Sequence, residues 1–145
     1  MLNVNDTTYD RILTHTELPV VHLTLVTPIV LSDIKDAHPR AIRRINAFYA
    51  HMAQAITRHA ERVLKPSAGR SLASALGRSR GFEPWRVKLS FVHEQPEDGG
   101  ELVLTHTLYA NLGGDERERC FVTVWDTHAG LVLRTVSAVP APPPW

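Results

Sequence analysis

Residues 39–64 decide the fold, and they read PRAIRRINAFYAHMAQAITRHAERVL. Apolar side chains recur there at steps of three and four residues, so they form one stripe along a helix, with arginines and other polar residues on the opposite side. Pro39 suits the first helical turn, where its missing N–H is not needed. Lys65 and Pro66 are predicted to end the helix. A helix of about 39 Å with one apolar face needs a broad partner surface, which a sheet provides.

The sequence on both sides of this helix alternates with a period of two. Residues 18–31 read as a strand, with Pro28 expected at a strand end, an edge or a bulge. Residues 85–139 read as four strands separated by turns at 94–100, 113–115 and 126–130. Residues 67–81 fit either a short second helix or a mobile loop. We therefore predict a two-layer α+β fold, with one long helix packed on an antiparallel meander sheet of about four to six strands.

Length and composition indicate one globular domain. The chain has 145 residues, of which 43% are hydrophobic and 21% charged, and this excludes a coiled coil, a disulfide-stapled miniprotein and wholesale disorder. We predict a single α+β domain over residues 1–139 and a proline-rich tail over 140–145. The lone Cys120 cannot form an intramolecular disulfide and is predicted to be a buried strand cysteine. With no signal peptide or membrane span, the chain as written is expected to be cytoplasmic without membrane insertion, or extracytoplasmic if a leader was trimmed.

The charges are balanced overall but unevenly distributed along the chain. The net charge is only +1, yet residues 40–88 hold eleven basic and two acidic side chains, whereas residues 94–118 hold seven acidic and one basic. Solvated faces and hairpin tips account for this pattern, and so does a protein partner with an acidic surface. Self-association is also open, since the two charged regions could meet between protomers. Nucleic-acid binding is a less favoured alternative, with Phe82 and Trp85 as stacking residues.

The residues that carry common chemistries do not assemble into a known catalytic motif. The eight histidines lack metal-ligand spacing, and the sequence has no nucleophile elbow and no phosphate loop. No metal and no cofactor is therefore expected, although a small enzyme without a recognisable motif stays an alternative. His106 shares a strand face with Leu104 and Leu108, and we predict a buried, hydrogen-bonded histidine. A hairpin centred on residues 96–99 would place it opposite Leu89.

Four short motifs resemble one known family. They are Val26-Thr-Pro28, Arg44-Ile45-Asn46, the segment LYANLGG at residues 108–114, and the segment WDTHAG at residues 125–130. Together with the order of elements, they resemble the extracytoplasmic domain of RsiV-type anti-sigma factors and related bacterial modules of unknown function. The resemblance implies a helix lying across a sheet and a non-catalytic, protein-binding role. RsiV-type members bind lysozyme, but that ligand is not carried over to this chain. Residues 115–118 read DERE, where the family has small residues and a histidine.

The leading functional prediction is therefore a non-catalytic protein-binding module. Its surface is predicted to be the side of the sheet that faces away from the helix, because alternate residues of the meander point there. The functional prediction rests on the fold resemblance together with the absence of a recognisable catalytic motif in the sequence. The candidate binding residues are Arg86, Lys88, Thr105, Thr107 and Tyr109.

Overall fold

A computed structural model of the protein describes residues 2–31, 38–96 and 100–137. It confirms the α+β class, because one long helical segment packs on a six-stranded sheet. The predicted tail at 140–145 lies outside the described residues. In chain order, the elements are β1 (Asn3–His15), β2 (Leu18–Leu31), α1 (Pro39–His59), a π-helical segment (Ala60–Leu64), α2 (Lys65–Gly77), β3 (Trp85–Glu94), β4 (Glu101–Leu112), β5 (Asp115–Asp126) and β6 (Leu131–Ser137).

The strands lie in the sheet in the same order as in the chain. β3 to β6 form the predicted antiparallel meander, and β1 and β2 form an antiparallel hairpin. β2 and β3, however, pair in parallel, from Val21 opposite Trp85 to Leu25 opposite Leu89. This mixed sheet differs from the all-antiparallel expectation because the helix between β2 and β3 carries the chain back, so that β3 starts beside the start of β2.

The prediction that the helix ends at Lys65 and Pro66 is wrong, since helical structure continues to Gly77. The π-helical segment ends at Leu64, two residues before Pro66, and the N–H of Lys65 donates to the carbonyl of Ala60 five residues back. A proline normally clashes with the carbonyl four residues earlier and removes one helical hydrogen bond. The wider π turn relieves that clash, so helical structure continues through Pro66 into α2.

The helix buries its apolar stripe against the sheet in two clusters. The first lies under the second half of the helix and includes the fully buried Leu25, Ala60 and Leu89. The second lies under the first half and centres on Tyr49 and Trp125, whose indole Nε1–H donates to the Tyr49 hydroxyl at 2.7 Å. These clusters cover one face of the sheet only.

Two carboxamide side chains hold the open end of the β1–β2 hairpin. Asn46 of α1 accepts the Val30 N–H at 2.7 Å and donates to the Val30 carbonyl at 3.0 Å. Gln95 donates to the Leu2 carbonyl at 2.6 Å and accepts the Leu2 N–H at 3.2 Å. Because the β2–β3 ladder stops at Leu25, the N–H and carbonyl of Val30 need another partner, and Asn46 satisfies both as a neighbouring strand would.

Candidate functional site

The candidate site is the sheet face that points away from the helix, and we name it the open face. Val87 and Leu89 of β3 point into the core, so Arg86 and Lys88 between them point outward. The cross-strand register places Thr105, Thr107 and Tyr109 of β4 on the same side. All five predicted residues therefore share one face, where the two basic residues are exposed and the three others are half-buried. No described element covers these side chains.

The open face carries opposite charges on two strands that flank β4. In one row across the sheet, Arg86 lies opposite Asn111, which lies opposite Glu116. In the next row, Lys88 lies opposite Tyr109, which lies opposite Glu118. One strand separates the basic and acidic positions, so their backbones are about 10 Å apart. Among the described residues, neither Arg86 nor Lys88 has a carboxylate partner.

Tyr109 lies between the two charged strands and is oriented by one of them. Its hydroxyl donates to Glu116 Oε1 at 3.0 Å. That hydrogen bond, together with desolvation and the negative charge of Glu116, raises the pKa of Tyr109 above its ordinary value, while the charge of Arg86 acts in the opposite direction. The phenol therefore stays protonated near neutral pH and is held in place as a donor.

Small side chains form the rest of the open face. Val92 is 65% exposed and lies in one row with Thr105 and Val122. In the neighbouring row, the Thr107 hydroxyl lies 3.4 Å from the Cys120 sulfur. Cys120 is half-buried on this surface, so the prediction of a buried strand cysteine is wrong. The alternation in β5 turns this residue outward, away from the helix.

His106 lies on the opposite, helix-covered face and is fully buried. Its ring stacks between Tyr49, at a centroid distance of 4.8 Å, and Phe121, at 5.2 Å. Neither ring nitrogen finds a hydrogen-bond partner among the described residues, so the predicted hydrogen-bonded state is wrong although the burial is correct. The two stacked rings cover the faces of the imidazole, and at its edge the described residues offer neither nitrogen a hydrogen-bond partner. Desolvation lowers the pKa of His106 to about 4.

The described residues around His106 form no metal-binding cluster. Within residues 2–31, 38–96 and 100–137, no group of three His, Cys, Asp or Glu side chains could hold a metal ion. Phe82 and Trp85, the predicted stacking residues for nucleic acid, are partly buried against the first core cluster. Their faces are thus partly occupied by the protein itself. No helix in the described part of the chain is long and apolar enough to cross a membrane.

A second feature is a groove between α1 and β1, with a volume of about 590 Å³. Pro28 and Ile29 of β2 line it, as do the small side chains of Ala50 and Ala53 on the helix. Thr27 also lines the groove; it is only 8% exposed, and its hydroxyl makes no hydrogen bond to a described residue. The groove forms because the helix carries small alanine side chains where it faces the mainly polar side chains of β1. These side chains do not fill the space between the two elements.

The groove has a charged end. Arg11 of β1 forms an ion pair with Glu61 at 2.9 Å across it. Arg58 on the helix also lines the groove and has no carboxylate partner in the described part of the chain. The lining is therefore apolar along its length, with one surplus positive charge near the Arg11–Glu61 pair. The sequence did not indicate this site, because it forms only where separate segments approach each other.

The positions that sequence reasoning missed on the open face are Glu116, Glu118 and Val92. The same alternation that selected Arg86 and Lys88 could have found them, once the register of β4 against β5 was known. A comparison with protein-family models and with the curated proteins finds no match to this chain. The likeness to RsiV-type domains therefore stays a prediction.

Proposed function

We propose that this chain is a non-catalytic protein-binding module that binds through the open face. One observation supports this most directly: Arg86 and Lys88 are two exposed cations on a central strand, and among the described residues they have no carboxylate partner and no covering element. Surface lysines and arginines are common, but a flat sheet surface that combines charge with small apolar side chains has the make-up of a docking surface. The partner we propose presents carboxylates opposite β3. The resemblance to RsiV-type domains implies the same class of function.

The chemistry of the rest of the molecule favours binding over catalysis. A general acid or base needs a titratable group within reach of a substrate. The most perturbed histidine, His106, is instead sealed between aromatic rings. On the open face, Tyr109 keeps its proton and Lys88 faces it across the strand pair, so the groups there suit recognition of a charged surface.

A pull-down with matched charge variants tests this proposal. The tagged wild type, the variant Arg86→Glu/Lys88→Glu and the control Arg62→Glu/Arg70→Glu are each incubated with lysate of the source cells. The control makes the same change in charge at exposed positions on the helical layer. We expect a protein that wild type and control retain and that the open-face variant loses at least tenfold, because like charges then oppose each other.

Nuclease and salt separate the alternatives in the same experiment. A retained protein should survive nuclease, and raising the salt should weaken its retention by screening. Recovery of nucleic acid with a steep loss at high salt would support the nucleic-acid alternative instead. Equal retention by all three variants would show that the open face is not the binding surface.

The groove between α1 and β1 favours a second candidate function, the binding of a medium-chain carboxylate. Two observations favour it: the Thr27 hydroxyl and the Arg58 guanidinium both line the groove, and within the described ranges neither has a side-chain partner. An alkyl chain would lie along Pro28, Ile29 and Ala50, and the carboxylate would reach Arg58. Ligand sites of this kind combine an apolar lining with a few polar groups that orient the ligand.

Calorimetric titration with decanoate, below its micelle concentration, tests this candidate. We expect Arg58→Gln to weaken decanoate binding about tenfold, since a charge-assisted hydrogen bond is lost. Ala50→Leu should abolish binding by filling the groove, whereas Ala47→Leu adds the same side chain to an exposed helix position outside the groove and should leave it unchanged. Equal binding of decanol and decanoate by all variants would contradict the role of Arg58.

A further inference from the structure

We infer that the partner of the open face is a second copy of this chain, packed sheet on sheet about a twofold axis that runs along β4. This inference rests on the proposed function of the open face and names its partner. A twofold interface brings the same surface together from both copies, so each position must be compatible with the position that it meets. The open face meets this condition row by row.

Rotation by a half-turn about β4 places β3 of one copy over β5 of the other. Row positions along the strands are preserved, because the axis runs parallel to them. Arg86 then faces Glu116 of the second copy, since both share the row of Asn111. Lys88 faces Glu118 in the row of Tyr109. Each copy contributes both cations and both carboxylates, so four charge pairs form at once.

The same rotation brings the uncharged rows together. Val92, which is 65% exposed, faces Val122 of the second copy, because both share the row of Thr105. The β4 side chains lie on the axis itself and meet their own counterparts. Two of these β4 side chains, Thr105 and Thr107, are small, so the two sheets can approach to the usual spacing of about 10 Å.

Within one copy these charges do not pair with each other. β4 separates the two charged strands by about 10 Å of backbone, and neither Arg86 nor Lys88 forms an ion pair with a described carboxylate. Glu116 accepts the Tyr109 hydroxyl but forms no ion pair with a described residue, and Glu118 has no partner in the described part of the chain. A second copy therefore pairs charges that the folded chain leaves apart.

The size of the surface predicts a weak dimer. The rows that carry the interface share the strands β3, β4 and β5, and four rows of these strands span about 20 Å by about 10 Å. That footprint is smaller than a standard specific interface, which buries about 800 Å² on each partner. We expect dissociation in the micromolar range, so the dimer should be visible at high protein concentration and should weaken as salt is added.

Sedimentation equilibrium between about 10 and about 300 µM, a range suited to a weak interface, tests the inference. Arg86→Glu/Lys88→Glu and Glu116→Lys/Glu118→Lys should each weaken the dimer at least tenfold, because like charges then face each other. The fourfold swap of all these charges should restore dissociation to within about threefold of wild type, since every pair is again opposite. An equimolar mixture of the two double variants should form a heterodimer. Arg62→Glu/Arg70→Glu controls for net charge and should change nothing.

Three results would overturn the inference. They are a wild type that stays monomeric throughout, a dimer that neither double variant weakens, and a dimer that the fourfold swap and the mixture fail to restore. Circular dichroism and thermal unfolding of each variant show that it is folded, and the fourfold swap guards against damage that resembles a lost interface. A monomeric wild type would leave the binding proposal itself to the pull-down, so the two failures are distinguishable.

Discussion

Lowering the pH from 7 to 4 is expected to reduce the free energy of unfolding by about 3 kcal/mol through His106 alone. The ring is fully buried between Tyr49 and Phe121, and desolvation lowers the pKa of His106 from its ordinary value of 6.5 to about 4. Between pH 6.5 and pH 4, the His106 imidazole is protonated in the unfolded chain but stays neutral in the folded chain. The stabilisation from the neutral ring is therefore complete above pH 6.5, falls as the pH drops toward 4, and is absent below that value.

Urea unfolding at a series of pH values measures this effect, with His106→Phe as the comparison. Phenylalanine keeps the stack but cannot titrate, so the slope between pH 6.5 and 4 should shrink by the histidine contribution. At pH 7 the variant should be more stable by about 1 kcal/mol, because two buried nitrogens without hydrogen bonds are removed. Phenylalanine is larger than histidine and could overpack the site, so His106→Leu serves as a second variant that cannot titrate. Identical slopes in wild type and both variants would refute the assignment.

Gly130→Ala is expected to lower the free energy of unfolding by about 3 kcal/mol. This glycine ends the turn between β5 and β6 with φ +68°, a conformation that costs a residue with a side chain about 1–2 kcal/mol. A Cβ there would also lie 2.6 Å from the Ala41 Cα and 2.9 Å from the Ala41 carbonyl oxygen. Both are backbone atoms of α1, so relief requires the helix or the turn to move.

Gly114→Ala is the matched control for this substitution. Gly114 also has positive φ, at +94°, but a Cβ there would meet nothing within 4 Å. We expect it to cost about 1–2 kcal/mol from backbone strain alone. Chemical denaturation of both variants gives the difference, which measures the close approach of the turn to α1. Equal costs for the two glycines would show that the turn yields freely and that this contact is unimportant.

The sequence predicted the elements better than their connections. The apolar stripe of α1 and the alternation of β3 to β6 are local signals, and both identified the correct structure. Pro66 misled the prediction because proline usually ends a helix, and nothing in the sequence announced the π turn before it. The parallel pairing of β2 with β3 depends on where the helical connection between them ends relative to the sheet. Local sequence patterns do not determine that position.

The candidate site shows the same division. Alternation alone placed Arg86 and Lys88 on the outward face, because a strand turns every second side chain to the same side. The register is harder to predict: His106 lies opposite Phe91, two residues from the predicted Leu89. A register shift by two residues leaves each side chain on the same face of the sheet but gives it different cross-strand neighbours. The row of Lys88, Tyr109 and Glu118 could therefore be identified only from the structure.

The short β2–β3 ladder joins two parts of the sheet that are far apart in sequence, so its formation costs loop-closure entropy. β1 with β2, and β3 with its followers, are each built from neighbours in sequence, and such contacts form quickly. Joining them requires closure of the whole crossover, and the ladder that results has only five residue pairs. The amides of Asn46 and Gln95 add attachment points at the far end of the hairpin. Most of the free energy that joins the two locally folding units therefore comes from the two core clusters, because residues of both units and of the helix pack together there.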